Sequence, residues 1–210
     1  MNVLSHRGFW DHAIEKNSIA AFSNSFCKGF GTETDVRDSR GELVISHDMP
    51  NGQELKLKSL LELIETYQTS NLTLALNIKS DGLAEKLQNE LSLFPNIDFF
   101  VFDMSIPDMR SYFHAGLPVF TRMSEVEQNP VWLEKCSGIW LDLFDYDWYD
   151  SNLLKEILSL GKRVCIVSPE LHGRNHKSQW EKIFQLKDHP KLMICTDLPL
   201  EAKKYFNGRS

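Results

Sequence analysis

The chain has 210 residues, 42% of them hydrophobic and 25% charged, as in an ordinary globular protein long enough to bury a core without metal or disulfide staples. Lys and Arg number 23 against 29 Asp and Glu, a net charge of −6. This balance disfavours broad binding to nucleic acid or an anionic membrane, yet leaves room for a local basic pocket holding one phosphate.

The chain opens on a β-rich run, 2–5, with no basic leader ahead of an apolar segment, so a cytoplasmic protein is expected. No stretch reaches the length of a membrane span. The first strand ends on His6-Arg7-Gly8, and a helical pattern follows over 18–28 with Gly29 beyond it. A strand over 32–36 carries Glu33 and Asp35. After Arg40-Gly41 comes an extended piece, 42–46, expected to pair with it as a hairpin and ending on His47-Asp48. Helix 57–67 leads into strand 72–78, which carries Asn77 and is followed by Lys79. The alternation then continues through helix 83–93, strand 99–103, helix 106–115 and strand 118–121, which is followed by Arg122. A short helix over 131–135 precedes strand 138–141 and Asp142; helix 151–160 precedes strand 163–167, with Ser168, Glu170 and His172 after it. Helix 179–186, strand 192–195 and helix 200–206 complete the pattern.

No repeat, low-complexity tract or linker divides the chain, so one domain over 1–210 is expected. Cys27, Cys136, Cys165 and Cys195 lack the spacing of a zinc site or a disulfide framework, and Cys165 and Cys195 sit in apolar runs as core residues. Eight strand and helix pairs predict an α/β fold, a compact (β/α)8 TIM barrel, in which each strand is covered on both faces. The competing open, doubly wound sheet usually carries a glycine-rich phosphate loop after its first strand; here the turn is His6-Arg7-Gly8-Phe9.

In such a barrel the working groups stand at the C-terminal ends of strands. Glu33 and Asp35 are two apart, so both leave the same strand face, and two carboxylates forced together repel unless a cation lies between them. Their oxygens suit Mg²⁺ or Ca²⁺, and Asn77 offers a neutral carbonyl oxygen to the same metal. The alternative is a pair facing solvent on an edge strand. His6 and His47 frame the acids, and two imidazoles can divide labour, one taking a proton from a nucleophile and the other giving one to a leaving oxygen. Arg7 and Lys79 would then donate to a phosphate, or else form structural ion pairs with Glu33 or Asp35. Arg122 and Asp142 are candidates for substrate contact from later strand ends, with lesser weight on His172. The aromatic group Tyr146, Trp148 and Tyr149 would wall a ligand or simply cover the barrel mouth.

These residues resemble a known family. The run His6-Arg7-Gly8, then Asn17-Ser-Ile-Ala-Ala-Phe22, Gly31-Thr-Glu33-Thr-Asp35-Val36 and Leu43-Val-Ile-Ser-His47-Asp48, is similar in order and spacing to the N-terminal signature of the glycerophosphodiester phosphodiesterases. Leu76-Asn77-Ile78-Lys79 and Thr196-Asp197-Leu198-Pro199 resemble later pieces of it. The resemblance implies a TIM barrel and metal-assisted hydrolysis of a small phosphodiester. It implies His6 and His47 as acid and base, Glu33 and Asp35 as metal ligands, and Arg7 and Lys79 as phosphate contacts. Asn77 stands where the family usually has a third metal carboxylate, Glu15-Lys16-Asn17 replaces its Pro-Glu-Asn, and the segment from His47 to Lys79 is shorter than usual. These departures leave the head group open. They also leave two other outcomes open, a phosphate-ligand binding barrel with weakened catalysis and a phosphodiesterase that releases a cyclic phosphate.

Overall fold

The computed structural model describes residues 1–67 and 72–208. Its contacts gather into two compact units, one of residues 5–119 and one of residues 1–4 with 120–210. The first strand, β1 (Asn2–His6), contributes its first residues to the second of these and its last two to the first.

In the unit of residues 5–119, α1 (Ile19–Cys27) starts at Ser18, whose hydroxyl accepts the Ala21 N–H, and buries Ala21, Phe22, Ser25 and Phe26. The long strand β2 (Gly31–Ser39) is the hub. It pairs antiparallel with β3 (Glu42–Ile45), which pairs in turn with the short β4 (Leu55–Lys56). Between Ser39 and Glu42 the two-residue turn has Arg40 at φ 50° and Gly41 at φ 85°, the left-handed pair that a tight hairpin turn demands. Helix α2 (Leu57–Thr66) buries Leu57, Leu60, Leu61 and Ile64, one stripe at helical spacing. On its other edge β2 lies parallel to β5 (Thr73–Ile78), which is buried along its whole length. Beyond it come α3 (Ala84–Leu91), β6 (Asp98–Phe102), parallel to β5, and α4 (Ile106–His114), capped by Ser105.

The C-terminal unit repeats the parallel theme. Strands β7 (Phe120–Met123), β8 (Gly138–Leu141), β9 (Arg163–Val167) and β10 (Leu192–Thr196) pair parallel in that order. Helices α5 (Ser151–Ser159), α6 (Lys177–Ile183) and α7 (Pro199–Asn207) alternate with them. β8 and β10 are buried along their whole length, and β9 is buried after Arg163, as in parallel strands covered on both faces. Cys165 and Cys195 are fully buried among them.

The expected strands and helices are present with shifts of a few residues at their ends, with one exception. The helix expected over 131–135 is a hydrogen-bonded turn. Pro130 precedes it and Trp132 has φ 49°, a left-handed backbone that an α-helix cannot contain. The helix expected over 179–186 starts earlier, at Lys177, and tightens into a 3-10 turn over Phe184–Leu186. Leu55–Lys56 is a strand that the apolar pattern does not announce, two residues being too few to show a period. Among the described residues no helix is long and apolar enough to cross a membrane.

Candidate active site

The unit of residues 5–119 brings most of the candidate residues together. A buried polar cluster sets the end of β1 against β2: Ser5 Oγ lies 2.6 Å from Ser25 Oγ and 3.1 Å from Thr32 Oγ1. Thr32 Oγ1 also accepts the Gly8 N–H at 3.0 Å, and the Arg7 N–H donates to the Glu33 carbonyl at 2.9 Å. Gly8 has φ 89°, and a Cβ there would fall 2.6 Å from the Ala21 Cβ, so only glycine fits. His6 and Arg7 are thereby held beside the acidic strand. Arg7 itself sits at φ 59°.

Glu33 and Asp35 are both buried, at 2% and 0% exposure, which rejects the solvent-facing edge-strand alternative. His6 Nε2 is 3.8 Å from Glu33 Oε2. Asp35 is contacted by three side chains: Arg7 Nε approaches Oδ2 at 2.8 Å, Asn17 Nδ2 donates to Oδ2 at 3.0 Å, and Lys79 Nζ stands 3.4 Å from Oδ1. Both cations therefore engage the acidic couple, as the ion-pair alternative had it. Asn77 lies beside Asp35 in the parallel register of β2 and β5, and it is buried too.

Three oxygens here, Glu33 Oε2, Asp35 Oδ1 and Asn77 Oδ1, are buried and accept no hydrogen bond. Such groups are costly unless something positive completes them. Burial above all, and then the Asp35 charge, push the Glu33 carboxyl up to about 7, against the opposing pull of His6, Arg7 and Lys79. Hard, oxygen-only donors with one or two negative charges fit a Mg²⁺ or Ca²⁺ ion. Among the described residues no group of three or more His, Cys, Asp or Glu side chains is arranged to hold a metal; the third oxygen here belongs to an amide.

His47 follows β3. Its Nδ1 is 2.9 Å from Asp48 Oδ1, its carbonyl accepts from Arg37 Nε at 3.3 Å, and its side chain is half exposed. A cavity of about 940 Å³ is lined by His47 and Asp48 together with Arg7, Lys16 and Asn17. Asn17 carries a role the sequence reading did not assign. Its backbone is left-handed (φ 60°), its N–H donates to the Arg7 carbonyl at 2.9 Å, and its amide joins Asp35 to Thr34, whose Oγ1 donates to Asn17 Oδ1 at 2.8 Å. Asparagine tolerates this backbone better than most residues, the only local signal available.

Arg122 and Asp142 belong to the C-terminal unit. Arg122 Nε donates to Glu127 Oε2 at 2.5 Å, and its guanidinium lies 5.7 Å from the centre of the Phe144 ring. Asp142 is buried and receives the Leu143 N–H at 2.8 Å and an approach of His172 Nε2 at 2.7 Å. The Phe144 ring packs edge-on to His172, with centres 5.1 Å apart. Of the aromatic group, Tyr149 is buried and its hydroxyl accepts from Gln179 Nε2 at 2.7 Å, whereas Tyr146 is exposed. Tyr149 is thus a core residue, and burial raises its hydroxyl well above the ordinary range.

No family model and no curated protein matches the chain. Solved structures do. A phosphodiesterase from Oleispira antarctica, in complex with the product sn-glycerol-3-phosphate, is similar at a TM-score of 0.72 with 17% identity, covering 99% of this chain and 97% of that one. A glycerophosphodiester phosphodiesterase from Parabacteroides distasonis gives a TM-score of 0.69 with 17% identity, over 99% and 97% of the two chains. Another, from Thermotoga maritima, gives 0.64 with 18% identity over 96% of each. The likeness shows the fold, the α/β barrel class expected from the sequence. A phosphoribosyl anthranilate isomerase from Thermus thermophilus is also similar, at a TM-score of 0.51 and 12% identity, so chemistry has to be argued from side chains.

Proposed function

We propose that the protein is a metal-dependent phosphodiester hydrolase of the glycerophosphodiester phosphodiesterase type, acting on a small phosphodiester. The observation that carries this is the set of buried oxygens on Glu33, Asp35 and Asn77 that accept no hydrogen bond, beside His6, Arg7 and Lys79. The resemblance of the His6-Arg7-Gly8, Glu33-Thr34-Asp35 and His47-Asp48 runs and the shared fold support the same reading.

Glu33, Asp35 and Asn77 would hold Mg²⁺ or Ca²⁺. When bound, the ion supplies positive charge against the phosphoryl oxygens and lowers the barrier to attack. Arg7 and Lys79, anchored on Asp35, bind and orient the phosphodiester anion, the arginine through a planar fork and the lysine as a point charge. His6 and His47 move the protons. One imidazole accepts a proton from the attacking water as the new P–O bond forms, and the other delivers a proton to the departing alkoxide as the old P–O bond breaks. An alcohol and a phosphate monoester leave. Arg122, which lies within β7 rather than after it, and Asp142, which follows β8, are proposed as ligand contacts of the C-terminal unit only.

The test is a panel of small phosphodiesters assayed with EDTA and with added Mg²⁺, Ca²⁺ or Mn²⁺. Release of a monoester that needs the metal and disappears in His6→Ala and His47→Ala supports the assignment. Wild-type turnover by both variants, or turnover indifferent to EDTA, overturns it.

A further inference from the structure

Asn17 meets both signs of charge in the site while carrying none itself. It sits between the 3-10 turn Ala13–Glu15 and the start of α1, in a left-handed backbone with φ 60°. From there its N–H donates to the Arg7 carbonyl at 2.9 Å and its Nδ2 donates to Asp35 Oδ2 at 3.0 Å, while Arg7 Nε approaches that same oxygen at 2.8 Å. Arg7, Asn17 and Asp35 therefore form a closed triangle in which each residue contacts the other two.

The triangle fixes a direction as well as a place. Thr34 Oγ1, in a fully buried residue, donates to Asn17 Oδ1 at 2.8 Å, so the amide presents its NH2 group to the carboxylate and not its oxygen. Both the amide and Arg7 then gather on Oδ2. Oδ1 is left, like Glu33 Oε2 and Asn77 Oδ1, as a buried oxygen that accepts no hydrogen bond, with the Lys79 ammonium 3.4 Å away. The torsion that turns a carboxylate is soft and twofold, and Arg7 Nε by itself leaves the group free to swing about a single contact. The amide removes that freedom. Being neutral, it does so without adding positive charge beside a cation site.

We infer that Asn17 is a positioning residue that sets the rotation of the Asp35 carboxylate, holding Oδ2 toward Arg7 and leaving Oδ1 for the metal. The inference rests on the metal-dependent phosphodiesterase reading and deepens it. Asn17 acts in this role through Asp35 and Arg7, not by touching the ion or the phosphodiester.

The experiment uses Asn17→Gly, which removes the amide but keeps the N–H that Arg7 accepts and a backbone that glycine adopts without strain. Calorimetric titration of the folded variant with Mg²⁺ and with Ca²⁺ is expected to give a Kd about tenfold above wild type, the scale on which a hydrogen bond that supports a metal ligand acts. An amide with a merely structural role would lower the melting point in EDTA and leave the Kd of the folded protein where it was, and that result overturns the inference. Should Asn17→Gly not fold, Thr34→Val, which frees the amide to turn, is titrated in its place. A Kd about threefold above wild type is then expected, and an unchanged one overturns the inference. If wild type takes up neither ion, the metal reading falls, and exchange of the Arg7 Nε–H with water, followed by nitrogen-15 NMR of the metal-free protein, still decides on Asn17. Exchange about fivefold faster in Asn17→Gly, the scale of one lost hydrogen bond, supports the positioning role, and an unchanged rate rejects it.

Discussion

Asp35 Oδ2 receives both the Arg7 guanidinium, at 2.8 Å, and the Asn17 amide, at 3.0 Å, while the Lys79 ammonium stands 3.4 Å from Oδ1 of the same carboxylate. One fully buried acid thus fixes two cations and the amide that clamps the Arg7 backbone. Removing it leaves those cations without their counter-charge in a water-poor setting. Asp35→Ala is expected to lose about 3 kcal/mol of unfolding free energy, the usual scale for breaking a buried pair from one side. Urea denaturation of the metal-free protein measures it, and turnover should fall at least about a hundredfold because ligand and anchor are lost together. A loss below about 1 kcal/mol would mean that water already relieves the pair.

Glu33 gives the pH dependence. Its carboxyl is raised to about 7 in the folded protein, chiefly by burial and then by Asp35, above the ordinary 4.5. Between those values the folded state holds a proton that the unfolded state has released, so folding stability contributed by this group falls as pH rises through the window and levels off above it. In EDTA, thermal melts of wild type and Glu33→Gln should diverge with pH. The variant should gain on wild type from pH 5 to pH 8, and parallel curves would remove the raised carboxyl from the account.

Asp142 and His172 allow stability and substrate contact to be separated. Asp142 is buried and serves two groups, the Leu143 N–H and the His172 ring, whereas the His172 side chain is a quarter exposed at 26%. Asp142→Ala is therefore expected to cost about 2 kcal/mol and His172→Ala about half of that. If Asp142 also contacts substrate, KM should rise in Asp142→Ala by more than the melting shift accounts for at a temperature where the variant is folded. An unchanged KM at that temperature would make the pair purely structural.

Much of this fold is legible in the amino-acid order because buried parallel strands hold short apolar runs, as in 74–76 and 192–195, and helices carry a stripe such as Leu57, Leu60, Leu61 and Ile64. The acids at 33 and 35 show their common face through spacing alone. What stays hidden is the choice of partner. Arg122 turns to Glu127, and Arg7 to Asp35 over 28 residues of sequence, because chain reversals and burial decide which opposite charge is nearest. Trp132 at φ 49° likewise ends a helical pattern that propensity favours, a backbone event with no side-chain signature.

Asn77 offers the sharpest test of the metal assignment. It lies beside Asp35 on the neighbouring strand, its Oδ1 is buried and accepts no hydrogen bond, and an acid of nearly the same shape can take its place. In Asn77→Asp a third carboxylate meets Glu33 and Asp35, so the metal-free variant should be less stable than wild type, through like-charge repulsion in a buried place. Added Mg²⁺ or Ca²⁺ should reverse that order, because the extra charge strengthens a hard oxygen site and binding to the folded state stabilises it by mass action. Melting curves in EDTA and in a metal series decide it. The expected result is a lower melting point than wild type without metal and a larger upward shift with it, by several degrees at millimolar ion. A destabilised variant that Mg²⁺ and Ca²⁺ fail to rescue would take Asn77 out of the coordination shell and leave Glu33 and Asp35 as a pair neutralised by Arg7 and Lys79 alone.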